Sequence, residues 1–173
     1  MQVLIYSAYY KGHEKLYSDI FQLTRPVEGI YPNYRYWYYK TFLEDLKRGN
    51  RAYAVAMHHM KLCGCCLMKN TPDEKKICTL FVDPDFRRQG IGTRLVQASF
   101  KELGPYPFLT TSLSQVNSFT PFIGRLGFQA KPFPKKDLAM PTEVLFYRPV
   151  PQLIHRAVMP LPAAIQDKTH LIS

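Results

Sequence analysis

No uninterrupted apolar run in this chain of 173 residues approaches the ~18 residues that a membrane-spanning helix needs. The N-terminus also lacks a charged stretch followed by an apolar core and a small-residue cleavage site. Neither membrane spanning nor secretion is expected, and a cytoplasmic location is. Cysteine is scarce. Of the four residues, Cys63, Cys65 and Cys66 crowd together and Cys78 stands apart, which is a poor disulfide framework. A zinc site wants two ligand pairs at suitable spacing, and only His58 and His59 lie near the thiols. No metal is expected, and the cysteines read as small apolar residues of a buried strand. Acidic residues are the other shortage: thirteen Asp and Glu face twenty-three Lys and Arg, a net charge of +10. The surplus is spread along the chain without a polybasic tail. It makes a solvated surface and also attracts polyanions such as nucleotides or RNA.

What is present is a foldable core. Hydrophobic residues make up 46% of the chain and aromatics 14%, too much for a disordered basic tail and enough for one domain of ordinary size. Val3 to Tyr6 reads as a strand, and Leu16, Ile20 and Leu23 form a helical stripe from His13 onward. Tyr39, Phe42, Leu43 and Leu46 predict a second, aromatic helix ending at Gly49. Arg51 to Met57 and Leu62 to Met68 form a hairpin. Ile77 to Val82 is an apolar run expected of a central strand buried on both faces. A helix follows from Ile91 to Leu103, then a strand over Pro107 to Leu113. A stripe of Phe119, Phe122, Ile123 and Leu126 predicts a helix with Pro121 in its first turn and Gly127 at its left-handed end. A strand from Glu143 to Tyr147 closes a domain expected over residues 1–148. Residues 149–173, with four prolines, read as an extension or tail.

The informative segment is Val82-Asp83-Pro84-Asp85-Phe86-Arg87-Arg88-Gln89-Gly90-Ile91-Gly92-Thr93-Arg94-Leu95, a strand running through a basic, glycine-bearing loop into a helix. The first turn of a helix offers unpaired N–H groups and a partial positive charge, which suit phosphate oxygens. Gly90 and Gly92 allow close approach, and Arg87 and Arg88 add charge. A P-loop would need Gly-Lys-Ser/Thr after four residues, and a dinucleotide fingerprint would need glycine where Leu95 stands. Neither fits.

These residues resemble the GCN5-related N-acetyltransferase (GNAT) family, whose coenzyme signature is Arg/Gln-x-x-Gly-x-Gly/Ala. Arg87-Arg88-Gln89-Gly90-Ile91-Gly92 matches it at every fixed position. Leu62-Cys63-Gly64 looks like the family's third strand and Leu80-Phe81-Val82-Asp83-Pro84 like its fourth. Phe122-Ile123-Gly124-Arg125-Leu126-Gly127-Phe128 looks like its helix-to-strand ending, Phe-Tyr-x-x-x-Gly-Phe. The resemblance implies an α/β fold: a mixed, mostly antiparallel sheet splayed between strands 4 and 5 and flanked by about four helices. It implies acetyl transfer from acetyl-CoA to a primary amine. Leu80, Phe81 and Val82 would then contact pantetheine through their backbone and polarise the thioester carbonyl, while Arg87, Arg88, Gln89, Gly90, Ile91, Gly92 and Thr93 would cradle the pyrophosphate.

The chain departs from the family at the frequent general-acid tyrosine, whose place is taken by Ile123. Cys78 and Thr79 occupy fourth-strand positions that often carry a carboxylate base, and neither is a comfortable base at neutral pH. Ser112, Ser114 and Asn117 are candidates to bond coenzyme or water, with helix capping the other reading of Asn117. No catalytic residue is assigned. In this fold, acceptor choice lies in the first two helices and the loop before the last strand, residues 13–48 and 129–142. The acceptor is left open among a protein N-terminus or lysine, a small amine and an aminoacyl-tRNA; Lys131, Lys135 and Lys136 suggest an anionic one, including a nucleotide-linked amine, over a cationic aminoglycoside, which wants a carboxylate-lined cleft. The competing reading is a non-catalytic module of the same fold that senses acetyl-CoA or binds RNA. A monomer and a homodimer are equally open.

Overall fold

The computed structural model describes residues 1–132 and 143–150. Seven strands form one sheet in the order β1-β2-β3-β4-β5-β7-β6. They are β1 (Gln2–Tyr6), β2 (Arg51–His58), β3 (Lys61–Asn70), β4 (Lys75–Val82), β5 (Phe108–Ser112), β6 (Gln129–Pro132) and β7 (Glu143–Tyr147). Every neighbouring pair is antiparallel except β4 and β5, which run parallel. The helices are α1 (Glu14–Thr24), α2 (Tyr34–Tyr36), α3 (Leu43–Lys47), α4 (Ile91–Leu103) and α5 (Leu113–Gly124). A π-helical stretch, Trp37–Phe42, joins α2 and α3 into one rod.

The sheet separates two cores. On one face α4 and α5 cover Ala52, Ala54, Cys66, Met68 and Ile77. On the other, α1 and the α2–α3 rod cover Tyr53, Val55, Cys65 and Leu67. The rod turns Tyr34, Tyr38, Phe42 and Leu46 inward and leaves Tyr39 exposed, whereas the sequence pattern placed Tyr39 on the buried stripe. The wider turn of i→i+5 bonding keeps residues four apart on one side.

The two-sided burial expected of β4 belongs instead to the hairpin, where Arg51 to Ala56 and Cys63 to Met68 are all buried. In β4 only Ile77 and Thr79 are buried, because the strand parts from its neighbour. It pairs with β5 at Lys76–Phe108 and Ile77–Leu109 and nowhere beyond. The cause lies in the register with β3: Met68 faces Ile77 and Leu67 faces Thr79, leaving Cys78 as an extra residue. Such a bulge bends the strand that carries it.

Gly64 seats α4 on the sheet. A β-carbon there would lie 3.1 Å from Leu95 Cδ1 and from the Phe81 carbonyl oxygen. Helix α5 begins six residues earlier than the stripe at Phe119 predicts, so Pro121 falls inside it rather than in its first turn. Ser112 to Gln115 has the spacing of a capping box, although the Ser112 hydroxyl bonds the Ser114 hydroxyl at 2.9 Å instead. Asn117 is exposed within α5 and caps nothing. Residues 151–173 of the expected tail lie outside the described residues.

Candidate functional site

Between the diverging ends of β4 and β5 the sheet has an open edge. The Asp83 N–H donates to the Cys63 carbonyl at 3.0 Å. By the alternation of an antiparallel ladder, Leu80 and Val82 therefore turn their backbone groups away from β3, into the split. Leu80, Phe81 and Val82 are half-buried there. A single 3₁₀ turn, Pro84–Phe86, then lifts the chain off the sheet, with the Asp83 carboxylate accepting from the Asp85 N–H at 3.1 Å.

The loop that follows delivers the chain to α4 in two left-handed steps, Arg88 at φ 62° and Gly90 at φ 77°. Gly90 occupies the N-cap position of α4 and supplies no side-chain cap. The Arg94 N–H is satisfied by the Gly90 carbonyl at 3.1 Å, so the N–H groups of Ile91, Gly92 and Thr93 are those that a helix start leaves without an intrahelical acceptor. Space is open around Gly90, where a β-carbon would meet nothing within 4 Å. Gly92 differs, because a β-carbon there would lie 3.1 Å from Phe122 Cζ. Its small size lets α5 close against the first turn of α4. Uncapped amides, open space and exposed Arg88 and Gln89 fit a pyrophosphate.

Arg87 behaves differently from the simple expectation. Its Nε donates to the Val82 carbonyl at 3.0 Å, and its guanidinium lies 5.8 Å from the Phe81 ring centroid. The side chain folds back along the β4 edge instead of reaching toward the amides of α4.

Ile123 is fully buried in the core beneath α4 and α5. The base positions on β4 are equally unpromising. Burial pushes the Cys78 thiol up, against the opposing pull of Arg51, whose Nη1 bonds Cys78 Sγ at 3.3 Å. Thr79 is buried on the same strand. Ser112 stands at the end of β5 beside Ser114. Lys131 lies on β6 and pairs with Leu145, so this part of the expected acceptor loop is a strand. Lys135 and Lys136 lie outside the described residues.

Three side chains of α2, its approach and β7 carried no site signal in the sequence. Tyr31, just before α2, is half-buried, and burial followed by the charge of the Glu143 carboxylate pushes its pKa up to about 12. The Tyr34 hydroxyl is buried without a hydrogen-bond partner, and burial raises its pKa as well. Both tyrosines belong to an aromatic-rich stretch that reads as core, and Glu143 reads only as the start of a strand.

Residues 49–130 match the sequence profile of the acetyltransferase (GNAT) domain. Among solved structures, the chain is similar to the PaiA N-acetyltransferase from Thermoplasma acidophilum in complex with coenzyme A, with a TM-score of 0.62 and 15% identity over 86% of this chain and 99% of that one. It is also similar to aminoglycoside 6′-acetyltransferase type Ii, with a TM-score of 0.64 and 18% identity over 86% and 96% of the two chains. A GNAT-family acetyltransferase from Staphylococcus aureus Mu50 gives 0.61 and 12% over 85% and 98%. At these identities the likeness speaks for the fold. No curated protein matches the chain by sequence. The domain match and the splayed sheet agree: residues 49–130 carry a GNAT acetyltransferase domain within a GNAT-type fold. Among the described residues no helix is long and apolar enough to cross a membrane, and no group of three His, Cys, Asp or Glu side chains could hold a metal.

Proposed function

We propose that this protein transfers an acetyl group from acetyl-CoA to a primary amine. The observation that carries this reading is the continuity between the unpaired edge of β4 at Leu80 and Val82 and the uncapped amides of Ile91, Gly92 and Thr93. An extended amide-bearing arm fits the first and a pyrophosphate the second, and the similar Thermoplasma acidophilum acetyltransferase is a complex with coenzyme A. Arg88, Gln89 and Gly90 would border the phosphates. Arg87 would have to leave the Val82 carbonyl for that group to accept from the arm. The bound thioester supplies an activated acetyl carbon. The protein's own part is to orient it with β4 N–H groups, exclude water and leave the amine neutral.

Calorimetry with acetyl-CoA and a thiol-release assay over a panel of amines test the proposal together. Binding followed by amine-dependent thiol release is expected. Binding without release on any amine, acidic peptide or charged tRNA would favour a non-catalytic coenzyme-binding module, the reading to which the buried Ile123 lends support.

A further inference from the structure

Cys78 is the extra residue that shifts β4 by one position against β3, with Met68 facing Ile77 before it and Leu67 facing Thr79 after it. Without that shift the ladder would continue as Leu67–Cys78, Cys65–Leu80 and Cys63–Val82. The Cys63 carbonyl, which accepts from the Asp83 N–H at 3.0 Å, would then take the Val82 N–H instead. A one-residue slip exchanges the two sides of a strand. Thr79 and Phe81, rather than Leu80 and Val82, would turn their backbone groups into the split. The bulge therefore selects which amides and carbonyls the open edge of β4 offers.

A buried cation holds this bulge. Arg51, 6% exposed at the start of β2, donates from Nη1 to Cys78 Sγ at 3.3 Å. Its Nε and Nη2 donate to Asp45 Oδ2 on α3 at 3.4 and 3.2 Å. Its guanidinium also lies 5.9 Å from the Trp37 ring centroid. A buried charge is costly unless paired, and the Asp45 carboxylate offsets that cost while leaving Nη1 free to turn toward the strand. The planar fork can serve a helix and a strand at once, whereas a lysine ammonium acts as a point charge.

We propose that Arg51, locked to α3 by Asp45, holds the Cys78 bulge and so fixes the phase in which β4 meets the coenzyme arm. This rests on the acetyl-transfer reading above and adds the residues that align its binding edge. Arg51 and Asp45 are positioning residues, since they act through Cys78 and the backbone of β4.

The test measures coenzyme A affinity by calorimetry and amide exchange residue by residue by NMR, on the full-length protein. In wild type without ligand, the Phe81 and Asp83 amides should be protected, and those of Leu80 and Val82 should exchange faster until coenzyme A is added. Arg51→Lys should weaken coenzyme A binding roughly tenfold and erase the alternation. Cys78→Ala leaves the Asp45–Arg51 pair in place and should weaken binding roughly fivefold through the lost acceptor. Cys78→Ser returns an acceptor for Nη1 and should restore affinity to within about twofold of wild type. Wild-type affinity and alternation in Arg51→Lys, with only Tm lowered, would make Arg51 merely structural and overturn the inference. Equal weakening by Cys78→Ser and Cys78→Ala would overturn it too. Failure of wild type to bind coenzyme A would overturn the acetyl-transfer reading, and the ligand-free exchange patterns of wild type and Arg51→Lys would still decide whether Arg51 sets the phase of β4.

Discussion

Gly90 separates backbone strain from charge at the proposed pyrophosphate site. It holds φ 77°, yet a β-carbon there would meet nothing within 4 Å. Gly90→Ala therefore costs only the left-handed conformation, about 1–2 kcal/mol. For a chain of this size that lowers Tm by roughly 2–4 °C per kcal/mol. The strain is present with and without ligand, so coenzyme affinity should change little. Gly90→Glu carries the same strain and adds a negative charge beside the amides of Ile91, Gly92 and Thr93. With a phosphate about 6 Å away and an effective dielectric between roughly 20 and 80, the repulsion is about 0.7–3 kcal/mol per unit charge. That corresponds to a Kd roughly 3- to 150-fold weaker than that of Gly90→Ala. Calorimetry with coenzyme A at about 0.1 M and about 1 M NaCl measures both effects. The gap between the two variants should shrink at the higher salt, where the Debye length falls to ~3 Å. Equal affinities of the Ala and Glu variants at low salt would remove the pyrophosphate from this loop.

Ile123→Ala should destabilise the protein by ~2–5 kcal/mol through the cavity it leaves, seen as a lower Tm. Turnover per folded molecule should hold, and a loss of orders of magnitude with stability preserved would show a direct role at the reacting atoms. The buried thiols set an alkaline limit. Burial raises Cys65 from 9.0 to about 12, so above pH 9 the unfolded chain loses a proton that the folded chain keeps, and stability falls as pH rises toward 12. Denaturant titrations from pH 8 to about 11 should show a falling midpoint, and a flat profile would contradict the burial of this thiol.

The loop proposed to hold the coenzyme could be singled out in the sequence because it is local. Arg87 to Thr93 are contiguous, and the sign of the helix end, the left-handed Gly90 and the buried Ile123 follow from short-range spacing. Strand β7 and the glycines at 49 and 127 are local signals too, and both glycines take positive φ in the structure. Tertiary structure decided what depends on pairing between distant segments. That β4 leaves β5 after Ile77 follows from one unmatched residue against β3, and no periodicity within β4 reports a neighbour's register. Gly92 reads as a phosphate contact in isolation, and the ring of Phe122 shows that it is also a packing contact between helices. Arg87 reads as a free charge, but the open edge it follows gives it a carbonyl to bond. Ser112 and Glu143 are separated by 31 positions in the chain, so only the pairing of β5 with β7 sets them opposite one another.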